Sequence, residues 1–236
     1  KGLLNKGKQV RGRLDGSIPR TGELSPNLVG KALGLNVKEG FPIPELLAPR
    51  PPKLCDGCPH IDSYTALNEA MKSYGEYKVF ADIGCYTLGA LPPLKAIYTT
   101  VDMGASITMA KGAAEADLRP TVAVIGDSTF THSGMTGLLD CVVDNVPVTV
   151  MILDNGITGM TGSQKSSATG RIESICQGIG VDPEHIRVIN PLPSKLEENI
   201  KVIQQELEYQ GVSVIIPRRE CIVWANKKRK MAKKAK

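Results

Sequence analysis

Two short loops in this sequence carry residue types suited to holding a divalent ion against a phosphate. The first reads Gly126-Asp127-Ser128-Thr129-Phe130-Thr131-His132-Ser133-Gly134 and the second Asp154-Asn155-Gly156-Ile157-Thr158-Gly159. Mg2+ takes hard oxygen ligands in an octahedron and usually shares them with a substrate phosphate. Asp127 offers a carboxylate, Asn155 an amide oxygen and Ile157 a backbone carbonyl, with Gly156 letting the loop bend. Gly126 and Ser128 let backbone N–H groups approach a diphosphate. The positive end of a helix beginning near Ser133 would add to them. In isolation Gly-Asp-Ser and Asp-Asn-Gly are ordinary turn tripeptides. Here each follows a run that reads as a buried strand, which is the context a ligand loop requires.

A second set is built on sulfur. The six cysteines are Cys55, Cys58, Cys85, Cys141, Cys176 and Cys221. A chain of this size with no export signal is expected to keep them as reduced thiols or metal ligands. Cys55-Asp56-Gly57-Cys58-Pro59-His60 is a C-x2-C pair in a Gly/Pro loop just before a helix. Cys85 ends a strand candidate and Cys221 follows the last one, so these four are expected along one edge of the sheet. Four thiolates hold either a [4Fe–4S] cluster or a structural Zn2+, and one C-x2-C with two distant cysteines does not separate those from unligated thiols. Cys141, inside the apolar run Leu138 to Val143, and Cys176 read as core residues.

The elements that must position these loops are legible from hydrophobic periodicity. Val79–Ile83, Thr121–Ile125, Val148–Leu153 and Val212–Ile216 are short, mostly apolar β-rich runs, as strands buried on both faces are. His60–Tyr74, Gly104–Ala116, Ser133–Val143 and Ser194–Tyr209 have helical spacing, the last with a capping box at Ser194 and Glu197. Strands alternating with helices predict an α/β fold of three α/β/α layers around a mostly parallel sheet. Ligands bind beyond the carboxyl ends of such strands. From Gly126 to Asn155 is 29 positions, one strand-loop-helix-strand unit, which puts Asp127 and Asn155 on adjacent strand ends.

Residues 1–50 are rich in Gly, Pro and basic side chains and are expected to form an extended arm or linker, with one short helix near Pro26–Leu35. Pro51-Pro52 marks the start of the main domain, 51–226. Seven of the last ten residues are Lys or Arg. Without this basic tail, 227–236, the chain is slightly acidic, so the net charge of +5 is a local property. A solvated tail or linker is the expectation. The Lys at the start and the Lys-rich end read like the middle of something longer. Aromatic residues are only 4%, too few for a nucleobase-stacking platform, so no nucleic-acid partner is expected. No apolar run spans a bilayer and no signal peptide is visible, which predicts a cytoplasmic protein without a membrane partner.

The spacing of the two loops resembles the thiamine diphosphate (TPP) signature, Gly-Asp-Gly followed by Asn-Asn. Ser128 and Asp154 depart from it, while Asp127 and Asn155 match it. Over roughly residues 51–225 the chain resembles the TPP domain of the 2-oxoacid:ferredoxin oxidoreductases, and among them the alpha subunit of indolepyruvate ferredoxin oxidoreductase. The resemblance is carried by the two loops, by Cys58-Pro59-His60, by Asp82-Ile83-Gly84-Cys85-Tyr86-Thr87-Leu88-Gly89 and by Met103-Gly104-Ala105-Ser106-Ile107. It implies that Cys55, Cys58, Cys85 and Cys221 hold a 4Fe-4S cluster beside TPP. Asp127, Asn155 and Ile157 would then anchor TPP through Mg2+, with Gly84 and Thr158 near the cofactor.

The implied activity is oxidative decarboxylation of a 2-oxo acid, here an arylpyruvate, to acyl-CoA and CO2, with electrons leaving through the cluster to ferredoxin. In such enzymes the cofactors carry the hard chemistry and the protein positions them. His60 and His132 are the titratable residues nearest that chemistry and are candidate acid/base groups; His185 reads as a surface loop residue. The resemblance also implies a pyrimidine-binding domain or subunit and a gamma-type partner subunit. The chain is therefore expected to be a fragment or one piece of a split enzyme, inactive alone. Two rival readings stand beside it: a cluster-free TPP-dependent 2-oxoacid decarboxylase subunit, and a zinc-stabilised interaction module.

Overall fold

A computed structural model describes residues 7, 11–38, 40–42, 44–48, 51–75 and 78–234. The expected arm and the end of the basic tail fall partly outside the described residues. The chain divides into two units, Lys1–Pro51 and Pro52–Lys236. In the first, the one helix among the described residues is Pro26–Ala32. Ser25 caps it, its hydroxyl accepting the Leu28 N–H at 3.2 Å, and Pro26 suits the first helical position, where no N–H is needed.

The second unit is built on a six-stranded sheet. Its strands are β1 (Val79–Ala81), β2 (Thr99–Thr100), β3 (Val122–Gly126), β4 (Val148–Leu153), β7 (Ile186–Ile189) and β8 (Val212–Pro217), in the order β2-β1-β3-β4-β8-β7. Every pairing in it is parallel. A small antiparallel hairpin, β5 (Ile157–Thr158) and β6 (Gln164–Lys165), stands apart.

Alternation along the strands divides the interior in two. Val122 and Val124 of β3 and Met151 and Leu153 of β4 face one layer with Tyr64, Leu67, Ile203 and Leu207. Ala123 and Ile125, with Val148, Val150 and Ile152, face the other, with Ile107, Phe130, Leu138 and Ile172. The sheet is thus covered on both sides, which is the expected three-layer α/β/α architecture and the reason β3, β4 and β8 are buried along their whole length. Helices Pro59–Met71 and Leu196–Glu208 belong to the first layer; Ala105–Glu115, Met135–Val143 and Ile172–Ile179 belong to the second. Cys141 and Cys176 are fully buried in the second layer. Among the described residues, no helix is long and apolar enough to cross a membrane.

Three local expectations are corrected. The helix expected from Ser133 begins at Asp127 and runs to Val143 through a π-helical turn, Phe130–Gly134. The capping box at Ser194 does not form: Pro193–Lys195 makes a 3-10 turn, and the helix Leu196–Glu208 has no side-chain cap. His185 is not a free surface residue. It stacks on Tyr209 at 3.4 Å, and its Nδ1 lies 2.9 Å from the Glu206 carboxylate, just before the edge strand β7. The basic segment is helical within Ile222–Lys234.

Candidate functional site

Register places the two loops side by side. Gly126 and Leu153, the last residues of β3 and β4, are direct partners, so Asp127 and Asp154 leave the sheet next to each other. The loops are then tied together. The Gly156 N–H donates to Asp127 Oδ2 at 3.1 Å, and the Ser128 and Thr158 hydroxyls are 2.8 Å apart. Gly156 takes φ +78°, the left-handed conformation that lets its N–H turn toward Asp127.

These tips floor a cavity of about 260 Å3. Gly84, Gly126, Asp127, Ser128, Asn155, Ile157 and Thr158 all line it, together with His60 and Cys85. His132 does not: its exposed ring bonds its neighbour, Nδ1 to Ser133 Oγ at 3.0 Å. Asp127 is 3% exposed. Burial raises its carboxyl to about 6, against the Ser128 N–H that holds it down and with the charge of Asp154 pushing the same way. A buried carboxylate beside an amide oxygen and backbone carbonyls is a hard-oxygen donor set, and a cation there would reverse the rise. Helix residues Asp127–Thr129 open directly onto the cavity, so the positive helix end is nearer the loop than expected.

Asp154, the departure from the usual signature, shares the Gly156 N–H through Oδ1 at 3.2 Å and turns its other oxygen outward. Its carboxylate accepts from Arg218 Nε at 2.6 Å, and Arg218 grips Glu173 with its two remaining nitrogens at 2.8 and 2.7 Å. It braces the loop from outside, against the exit of β8. The same exit bonds along the β4 tip, Arg219 N–H to Asp154 O at 3.1 Å and Cys221 N–H to Asn155 O at 3.3 Å. That ladder brings Cys221 onto the loop of Asn155.

Cys55, Cys58, Cys85 and Cys221 line one smaller cavity of about 110 Å3. Cys58 is buried, Cys85 and Cys221 half-buried, and Cys55 exposed. Burial pushes the Cys58 thiol up to about 11, opposed by the His60 backbone N–H and reinforced by the charges of the other three cysteines. Burial also raises Cys85, with Cys221 and Cys55 adding to it. The thiols are near enough to repel as thiolates, yet among the described residues no three or more His, Cys, Asp or Glu side chains are gathered to hold a metal ion. His60, Cys85, Asn155 and Gly159 are common to both cavities and form the partition between them.

His60 is central to this partition. Its ring is 3% exposed, and burial, then the charge of Arg219, lowers it to about 4. It is therefore neutral at pH 7. Its Nε2 lies 3.3 Å from Asn155 Nδ2, and since an amide nitrogen only donates, Nε2 accepts.

Two residues with no role foreseen from the sequence hold the floor. Tyr86 packs its ring on Gly84 and Gly126, where an added Cβ would meet ring carbons at 2.3 and 2.5 Å. Close approach of this ring thus explains both glycines. The Tyr86 hydroxyl donates to Asp82, a fully buried carboxylate that also accepts from Gly104 N at 3.0 Å and Ser106 Oγ at 2.7 Å. Burial raises the Asp82 carboxyl, and those three donors counter it. Asp82 and Tyr86 flank Gly84-Cys85 in sequence, but their partners come from other elements, so spacing carries no sign of the network.

Residues 82–216 match the family described as thiamine pyrophosphate enzyme, C-terminal TPP binding domain. The indolepyruvate oxidoreductase subunit IorA of Archaeoglobus fulgidus is 35% identical over 249 residues, covering 95% of this chain and 39% of that relative. The protein of the same name from Pyrococcus abyssi is 35% identical over 243 residues, covering 88% and 37%. The chain thus spans about two fifths of the length of the curated relatives it matches. A 2-oxoglutarate:ferredoxin oxidoreductase from Magnetococcus marinus, solved with 2-oxoglutarate, coenzyme A and succinyl-CoA bound, shares the fold. Its TM-score is 0.59 at 18% identity, over 74% of this chain and 66% of that one.

Proposed function

Since the chain belongs to the C-terminal TPP-binding domain family of thiamine pyrophosphate enzymes, we propose that it is the TPP- and cluster-binding part of an arylpyruvate:ferredoxin oxidoreductase. Asp127, Asn155 and the Ile157 carbonyl hold Mg2+ against the diphosphate. Gly84, Gly126, Ser128 and Thr158 face the cofactor, and Cys55, Cys58, Cys85 and Cys221 hold a 4Fe-4S cluster. The reaction is the oxidative decarboxylation of a 2-oxo acid to acyl-CoA and CO2. TPP supplies the electron sink at the keto carbon and the cluster the one-electron exit.

What this chain contributes is placement. Asp127 holds charge in a dry site, where its pull on a cation is strong. His60, neutral and accepting from Asn155, fixes the amide, whose Oδ1 accepts the Ile157 N–H at 3.1 Å and keeps a second lone pair for a cation. This gives His60 a positioning role instead of the acid/base role expected from the sequence. His132, exposed and outside the cavity lining, is kept only as a candidate acting with parts supplied by a partner. A pyrimidine-binding domain or subunit, a gamma-type subunit and ferredoxin complete the enzyme, and the isolated chain is inactive. The protein works in the cytoplasm.

The observation that carries the reading is the partition: an oxygen-lined cavity and a thiol-lined one share His60, Cys85, Asn155 and Gly159. Neighbouring sites of these two chemistries suit a cofactor that releases electrons and a centre that takes them. The test is anaerobic purification with iron, sulfide and thiamine quantified on one sample. All three together support the reading. Thiamine without iron points to the cluster-free decarboxylase, and zinc without iron or sulfide to the interaction module.

A further inference from the structure

The amino ends of β3 and β4, opposite the Asp127 and Asn155 loops, frame a separate cavity of about 280 Å3. β3 is five residues long, about 17 Å, so a guest here stays clear of the oxygen-lined cavity. Two buried threonines line it. The Thr149 hydroxyl donates to Glu206 O at 3.2 Å, but Thr121 Oγ1, on a residue 1% exposed, has no hydrogen-bond partner. Among the described residues it is the one buried side-chain nitrogen or oxygen so left. A buried hydroxyl without a partner is costly, and a ligand atom within hydrogen-bond reach removes that cost. Two exposed residues of the lining carry opposite charges. Glu208 ends the helix Leu196–Glu208, where the helix dipole favours a cation, yet that helix has no basic residue in its last turn. The Tyr74 hydroxyl donates to Glu208 Oε1 at 3.3 Å, and no cation pairs with this carboxylate among the described residues. Arg119 pairs among them only with Asp117, at 3.9 Å, and the Asp117 side chain is 92% exposed. Pro120, Pro147, Val148 and Leu207 add apolar surface.

We propose that this cavity is a binding site for a free α-amino acid with an apolar side chain. The ligand carboxylate pairs with Arg119 and accepts from the Thr121 hydroxyl. Its ammonium meets Glu208 at the negative helix end, and its side chain lies on the apolar residues. The inference goes beyond the proposed function and does not depend on it. Charge and size select the occupant. A phosphate or nucleotide brings its negative charge against Glu208, and the Tyr209 ring on which a base could stack already has His185 against one face at 3.4 Å. The volume falls just below the ~300–1,000 Å3 of sites for larger ligands, which suits a molecule of amino-acid size. A 2-oxo acid carries no cation and leaves Glu208 unpaired.

The test is titration calorimetry of the complete enzyme with L-phenylalanine and L-leucine, where saturable binding at one site per copy of this chain is expected. 3-Phenylpropionate, which lacks the ammonium, and 2-phenylethylamine, which lacks the carboxylate, should bind L-phenylalanine's site at least ~10-fold more weakly. Arg119→Gln and Glu208→Gln should each weaken L-phenylalanine by ~10-fold. Thiamine content stays unchanged, because neither side chain lines the oxygen-lined cavity. Thr121→Val removes the unpartnered hydroxyl at nearly constant shape and separates a ligand role from a packing one. The ligand-free melting temperature should not fall, while affinity drops ~5-fold. Absence of saturable binding by either amino acid up to about 10 mM overturns the proposal. So does binding of 3-phenylpropionate as tight as that of L-phenylalanine, or L-phenylalanine binding that the three substitutions leave unaltered or that TPP displaces.

Discussion

The two cavities on either side of the His60–Asn155 contact are built in opposite ways. The oxygen-lined one is finished by the protein's own hydrogen bonds. Asp127 accepts two backbone N–H groups, Ser128 meets Thr158, and Tyr86 is pinned by Asp82 beneath two glycines. The thiol-lined one is assembled from distant pieces with few bonds between them. Its ties are the Cys58 N–H to Cys55 O turn at 3.0 Å, the Cys221 N–H to Asn155 O contact at 3.3 Å, and Arg219, which donates to Gly57 O at 3.3 Å and pairs with Asp62 at 2.7 Å. The first is shaped before its ligand arrives; the second leaves its final geometry to the ligand. Preorganisation of this kind lowers the ordering cost of binding, and sites lacking it draw part of their folding from the metal.

The contrast can be broken at four points, in falling order of effect. Asp127→Asn keeps the shape but removes the charge, and should weaken Mg2+-dependent TPP binding by ~100-fold, close to 3 kcal/mol, by titration calorimetry. Unchanged affinity would remove Asp127 from the metal. Cys58→Ser should cut iron and sulfide by ~10-fold while leaving the melting temperature of the metal-free chain nearly unmoved, because the thiol site contributes little before loading. A large loss of metal-free stability would show that the thiol site, too, is built in advance.

The third point is pH. Below the ordinary His value of 6.5 the unfolded chain takes up a proton that buried His60 refuses until about 4. Stability is therefore full above that window and falls as pH drops through it. Between neutral pH and about pH 5 the loss should be ~2 kcal/mol, absent in His60→Gln, by denaturant titration of both proteins. Parallel curves for the two would sink the assignment. Last, Tyr86→Phe strips one of three donors from buried Asp82 and should cost ~1 kcal/mol of stability. Phe retains the ring packing on Gly84 and Gly126, so TPP affinity should change less than stability does.

What sequence revealed and what it hid divide along the same line. β3 runs Val122-Ala123-Val124-Ile125, apolar at every position, and β4 departs from that pattern only at Thr149; such runs have few places to go except the middle of a covered sheet. With the strands recognised, the loops at their ends followed. The Asp82–Tyr86 network stayed hidden because each member is unremarkable locally, and only the fold brings Gly104, Ser106 and Gly126 to them. His185 and the edge strand Ile186–Ile189 were hidden for a related reason. A short run with exposed positions has the composition of a loop until Glu206 and Tyr209 close over the histidine. The capping box at Ser194 failed because Pro193 opens a tighter turn there, and local chemistry lost to backbone geometry.

The wall of four residues shared by the two cavities carries a consequence for biogenesis. Any guest that shifts His60, Cys85, Asn155 or Gly159 from one side alters the berth on the other. Under the proposed function, vitamin uptake and inorganic maturation are then thermodynamically linked, and linkage is reciprocal: the factor by which a metal centre changes coenzyme retention equals the factor by which coenzyme changes retention of that centre. On that reading, the order of loading leaves the final equilibrium unchanged.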